Sequence, residues 1–163
     1  MTVDTRLVLR RGSREILIEC VGSAHTRGDV VVWLPRERVL AAGDVVSGIV
    51  PMAAATADLA AWSGALDRLA SLAPRVIVPG HGPVESGDGL LLRTRRLLGA
   101  VLDRTSAAYR PGATLADVQG SVHLDDLRRL WSANEPMREL LFAMFFEAPA
   151  VESVYRHLSS PPT

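Results

Sequence analysis

Residues 21–44 read VGSAHTRGDVVVWLPRERVLAAGD. A polar loop holding His25 opens this stretch. Val30–Leu34 then runs apolar at every position, which predicts a strand covered on both faces. PRER is a turn, and VLAAG predicts the returning strand of a hairpin. Asp44 follows Gly43, where that strand leaves the sheet. A second stretch, RVIVPGHGPV at residues 75–84, repeats the device. A short apolar strand ends at Pro79, and His81 stands two residues beyond it.

The elements on either side extend the pattern. RLVLR and EILIE, separated by RGSR, predict a first hairpin with Gly12 in its turn. After Pro51 the period changes. Thr56 is a candidate N-cap, and Leu59, Trp62, Leu66 and Leu69 follow on one helical face, which Pro74 stops. A second helix is predicted from Asp88 to about Ala108, with Leu90, Leu97, Leu98, Val101 and Leu102 in its stripe. The last third reads as helices. TLADVQG and HLDDLRRLW break at Gly120, NEPMRELLFAMFF starts with Asn134 as cap and Pro136 in the first turn, and PAVESVYRHL restarts at Pro149. SSPPT is a frayed tail. Strands, helix, strand and then helices make an α/β class. Residues 1–108 form one unit, and 109–163 form a helical extension packed on it.

Composition limits the function classes. The 163 residues are 48% hydrophobic and 22% charged, enough for one domain with a real core. Eighteen basic and eighteen acidic residues cancel, so no general pull toward nucleic acid or an anionic membrane follows. Every basic residue is arginine, which excludes a phosphate loop ending in Gly-Lys-Ser/Thr. Cys20 is the only cysteine and reads as a packed core thiol. MTVDTRLVLRRG lacks the apolar core of a signal peptide, and no stretch is apolar enough to span a membrane. The chain as written reads as cytoplasmic.

His25, Asp44 and His81 all stand at strand ends, where loops converge on one edge of a sheet. Gly43, Gly80 and Gly82 allow close backbone approach or a positive φ. Imidazole and carboxylate donors suit a zinc-type ion. The separations, 19 residues from His25 to Asp44 and 37 from Asp44 to His81, are too long for a local motif. Spacing alone leaves local hydrogen bonding as the simpler role for each histidine.

Taken together, GSAHTRGDVVVWLP, VLAAGD and VIVPGHGPV resemble the metallo-β-lactamase superfamily, in its hydrolase branch with G-x-x-H-T-x-G-D, G-D and P-G-H-G. The likeness runs from about Arg6 to Val84. It implies the C-terminal half of a four-layer αββα fold, carrying one or two zinc ions at the edge between two sheets. His25 matches the histidine completing the first metal site, Asp44 the aspartate bridging both metals, and His81 the histidine of the second site. The implied function is metal-dependent hydrolysis; lactams, thioesters, lactones and phosphodiesters all fit the family. Asp44 is the catalytic candidate, through the hydroxide that the metals activate.

One part of the pattern is missing. The family's H-x-H-x-D-H signature lies upstream of these motifs, and this chain has no H-x-H. The remaining ligands give each metal two donors, fewer than a stable zinc site uses. Weak or absent zinc binding is expected of the chain alone. The absent half would also leave one face of the sheet bare, which normally marks an interface. The expected partners are the missing N-terminal half, most simply because Met1 is internal to a longer protein, or a second copy. A catalytically inactive half-domain serving as an interaction module or subunit is the alternative.

Other readings rest on less. Ser23 near His25 lacks a G-x-S-x-G elbow. Arg128 and Arg129 in a helix-turn-helix, or the run Arg93–Arg96, would bind phosphates, but acidic neighbours make solvated helix faces the simpler reading. His123 and His157 read as surface or helix-end residues. Arg27 reads as exposed, with orientation of an anionic substrate as the sharper option. Trp33, Trp62, Trp131, Phe142, Phe145 and Phe146 read as core or sheet-facing anchors.

Overall fold

The computed structural model describes residues 5–160. β1 (Arg6–Arg11) and β2 (Arg14–Gly22) form the first hairpin, with Gly12 at φ +62° in its turn. β3 (Asp29–Leu34) and β4 (Val39–Gly43) form the second. α1 (Leu59–Ser71) carries the chain across to β5 (Val76–Pro79), which pairs parallel with β4. A two-residue β6 (Glu85–Ser86) closes the far edge, giving the order β1-β2-β3-β4-β5-β6.

Register divides the sheet into two faces. Leu17, Trp33, Leu40 and Ile77 are aligned across four strands and all are buried. Side chains alternate along a strand, so their neighbours form the opposite row: Leu7, Ile18, Val32, Ala41 and Val78. That row is apolar too and only partly covered: Leu7, Ile18, Val32 and Ala41 are half-buried and Val78 is exposed. Val30, at 41% exposure, lies on this side, whereas Val31 is fully buried on the other. The expectation that Val30–Leu34 is covered on both faces is therefore corrected: only the helix side is. Cys20 pairs with Val30 on the open side and is half-buried, not a core thiol.

On the covered side, α1 buries Leu59, Trp62, Ala65, Leu66 and Leu69. Its cap is Asp58, whose Oδ1 accepts from the Ala61 N–H, rather than Thr56. α2 (Gly89–Ala108) packs on α1 with Leu90, Leu91, Leu97, Leu98 and Val101 buried. The helical tail comprises α3 (Leu115–Ser121), α4 (Asp125–Ser132), α5 (Pro136–Phe142) and α6 (Ala148–Ser159). Gly120 lies inside α3, and the break falls after it, at Val122–Leu124. Glu135 caps α5 instead of Asn134, accepting from the Met137 and Arg138 N–H groups. Pro149 does not restart the chain, because a π-helical turn, Ala143–Glu147, joins α5 to α6 without a gap. Phe142, Phe146, Ala150, Val151 and Val154 from this tail join the same core as Leu66 and Leu98. Of the SSPPT tail, Ser159 ends α6 and the Ser160 N–H donates to the Arg156 carbonyl at 3.1 Å, so these two are not frayed; residues 161–163 lie outside the described residues.

No described helix is long and apolar enough to cross a membrane. Several of the arginines considered for phosphate contacts are engaged elsewhere. Arg128 pairs with Asp125 and Glu147, Arg95 with Asp67, and Arg93 stacks 5.1 Å over Trp131. His123 and His157 are exposed.

Arg104 of α2 holds Asp126 of α4 by two hydrogen bonds of 2.6 Å. This guanidinium contact lowers the Asp126 carboxyl to about 2. Its folded value lies below the unfolded one, so any stability from the pair is present above about pH 4 and lost as pH falls through about 2. Exposure keeps that contribution small. Carboxyl-detected NMR should show Asp126 titrating near 2, and Arg104→Ala should return it to the ordinary range of about 3.9.

Candidate metal site at the sheet edge

Parallel pairing of β4 with β5 places both strand C-termini at one edge, in the register Ala41↔Val78 and Gly43↔Pro79. The next residues therefore emerge side by side. His81 Nε2 lies 3.2 Å from Asp44 Oδ1, with side-chain exposures of 52% and 39%. The two groups are open enough to meet a ligand and close enough to act on the same one.

Backbone bonds lock their loops together. The Gly80 N–H is shared between the Gly43 carbonyl at 2.8 Å and the Val46 carbonyl at 3.1 Å. The Gly48 N–H donates to the His81 carbonyl at 2.7 Å. At Gly80 the approach is so close that an added Cβ would overlap Asp44 Oδ1 and the Asp44 backbone nitrogen. Glycine is required there for contact rather than for conformation.

His25 sits on the neighbouring loop. Its ring meets Trp62 edge-on at 5.8 Å between centroids. Trp62 is fully buried and donates its indole N–H to the Val45 carbonyl at 3.0 Å. The indole thus stands between the His25 loop and the residue after Asp44. Asp29 shapes that loop, accepting from the Thr26 N–H at 2.8 Å and the Thr26 hydroxyl at 2.6 Å. The sequence reading missed Asp29; its signal was the Thr-x-x-Asp spacing. Ser23 donates to the Arg27 carbonyl at 3.5 Å, as a loop residue would, and Arg27 is exposed.

The structure therefore brings Asp44 and His81 into contact and leaves His25 against Trp62. A carboxylate oxygen and an imidazole nitrogen are suitable zinc donors, but zinc sites use three or four protein ligands. Among the described residues no group of three His, Cys, Asp or Glu side chains stands close enough to hold an ion. Two donors do not fit a zinc ion by themselves.

Two further hollows lie nearby. An open cleft of about 720 Å³ runs along Ser23, Arg27, Asp58, Arg156 and His157, and neither Asp44 nor His81 lines it. A smaller cavity of about 190 Å³ does include His81. Phe145 lines it at 42% exposure, which corrects its reading as a core anchor: the π-turn rotates it outward.

Comparison with known proteins matches this architecture. Residues 2–81 match the family model of the metallo-beta-lactamase superfamily. This part, which includes the paired Asp44 and His81, matches that superfamily. The metallo-beta-lactamase type 2 of Bacteroides fragilis is 31% identical over 91 residues, covering 53% of this chain and 36% of that protein. A solved metallo-beta-lactamase from Pontibacter korlensis superposes with a TM-score of 0.54 at 32% identity, over 60% of this chain and 47% of that one. A stereoselective inverting sec-alkylsulfatase from Pseudomonas sp. shares the fold over 97% of this chain and 26% of its own, with a TM-score of 0.65 at 15% identity. The chain spans little more than a third of the length of the curated relatives it matches.

Gly80→Ala tests the locked loops. Overpacking of this kind costs about 1–3 kcal/mol, so urea unfolding should show that loss. A structure of the variant should show the Asp44–His81 contact opened beyond 3.2 Å. Unchanged stability and geometry would contradict the close-approach account.

Proposed function

We propose that this chain is one half of a metal-dependent hydrolase, contributing Asp44 and His81 with His25 beside them. A second sheet, seated on the open apolar face, contributes the remaining ligands. The observation that carries the proposal is the 3.2 Å Asp44–His81 contact on one rim of the sheet. The apolar row Leu7, Ile18, Val32, Ala41 and Val78 supports the second sheet, since an exposed face of this kind asks for a partner. The match to the superfamily points to the partner's content: the H-x-H-x-D-H residues that this chain lacks. The N-terminal half of such a fold is the proposed occupant, and self-association of two copies is the competing outcome.

Asp44 and His81 would hold zinc only together with ligands from the second half, and the ion would then supply a nucleophile active at neutral pH. The part of this chain is positional. The Gly80 contact and the loop bonds hold the Asp44 carboxylate on the rim, and Trp62 keeps the His25 loop beside it.

Calorimetry on the isolated chain should find no tight stoichiometric zinc. Supplied with a half carrying H-x-H-x-D-H, the complex should take up zinc and hydrolyse substrate. Asp44→Ala should then reduce activity more than about 100-fold, beyond the loss expected for an outer-sphere partner. Val32→Glu, on the open face, should prevent assembly while leaving the helix-side core folded. If the complex forms with Asp44→Ala at full activity, the catalytic role of this chain fails and a binding module remains.

A further inference from the structure

The helical tail carries an apolar surface of its own. Along α5 and the π-turn that follows it, Phe142 and Phe146 are fully buried in the core. At 3.6 residues per turn, Met137, Leu140, Leu141 and Met144 lie on the opposite side of the same helix. Met137 and Met144 are each 59% exposed, Leu140 is 53% exposed and Leu141 is half-buried. A surface helix that buries one side ordinarily shows water a polar one. Here no charged residue occurs from Leu140 to Phe146. Phe145 carries the strip to the hollow beside His81, where exposed Ile49 also stands. Leu130 of α4, the helix packed on α5, is 77% exposed.

Size and spacing identify the occupant. At about 200 Å² for each large side chain, the exposed fractions leave roughly 600 Å² of apolar surface open. That reaches the upper end of what a monomer exposes in one patch. With a polar rim added, it approaches the roughly 800 Å² that each copy buries in a stable dimer. The order Met-x-x-Leu-Leu-x-x-Met, residues 137–144, is the same read from either end. An antiparallel pair of α5 helices with its dyad between positions 140 and 141 therefore sets Met137 of one copy against Met144 of the other, and Leu140 against Leu141. A two-fold interface requires this self-complementarity, because one patch meets itself.

We infer that two copies of this chain pair through α5, antiparallel about that dyad. The interface is distinct from the open sheet face and does not depend on the metal reading. It also bears on the rim, since Met144 adjoins Phe145 and the second copy's helix then borders the hollow that includes His81.

Sedimentation equilibrium at micromolar concentration should give twice the 17.5 kDa chain mass, both for the natural chain and for Val32→Glu on the open sheet face. Leu140→Arg and Met144→Glu should each weaken the dimer at least about 100-fold, because each dimer then buries two unpaired charges. Both positions are more than half exposed in one copy, so thermal melts should show the fold kept. Asp44→Ala should leave the dimer intact, which separates this inference from the proposed hydrolase. In a Cys20→Ser background, copies with Met137→Cys mixed with copies with Met144→Cys should form a disulfide on oxidation, and either alone far less. A single-chain mass would overturn the pairing, as would a dimer lost in Val32→Glu but kept in Leu140→Arg. So would Leu140→Arg acting only on capture of a half carrying H-x-H-x-D-H, which would make that half the occupant of the strip.

Discussion

Parallel pairing between β4 and β5 is the constraint on which the site depends. Antiparallel neighbours put consecutive strand ends at opposite edges, whereas a parallel pair puts both C-terminal ends at one edge. α1 supplies the crossover that makes this possible. Once Gly43 is aligned with Pro79, Asp44 and His81 have nowhere to emerge but beside each other. The shared Gly80 N–H and the missing Cβ at that position then remove the slack between their loops.

The same sheet carries an imbalance. One face is closed by α1, α2 and the tail, with Trp62, Leu66, Leu98, Phe142 and Phe146 in a continuous core. The other face is apolar in the same register and open. A strand such as β3, apolar at every position, is costly to leave half uncovered, because solvent contact with Val30 and Val32 forfeits hydrophobic stabilisation on that side. Incomplete cover and an incomplete ligand set point the same way. A partner on the open face, as proposed, would also be placed to reach the rim where Asp44 and His81 stand.

The helical tail shapes what surrounds the site. The match to the family model ends at residue 81, yet the wall facing His81 comes from Leu141 and Phe145. Hydrogen bonds from Ala53 and Trp131 tie the two parts together, so the loop after Asp44 takes its shape from residues far along the chain.

Much of this was legible in the residues alone. Both hairpins, the strand ending at Pro79, the α1 stripe and the positions of Asp44 and His81 just beyond strand ends follow from alternation, helical spacing and the punctuation of Gly and Pro. These are local effects, set by which neighbours a side chain has in its own element. Helix ends were less legible: Asp58 outcompeted Thr56 and Glu135 outcompeted Asn134, because several residues within two positions can cap a helix. The contact of Asp44 with His81 alone, the separation of His25 onto Trp62 and the outward turn of Phe145 were decided only by tertiary structure. Each depends on register between strands or on packing between distant helices, where a shift of one residue changes the facing side chain and no local spacing records the outcome.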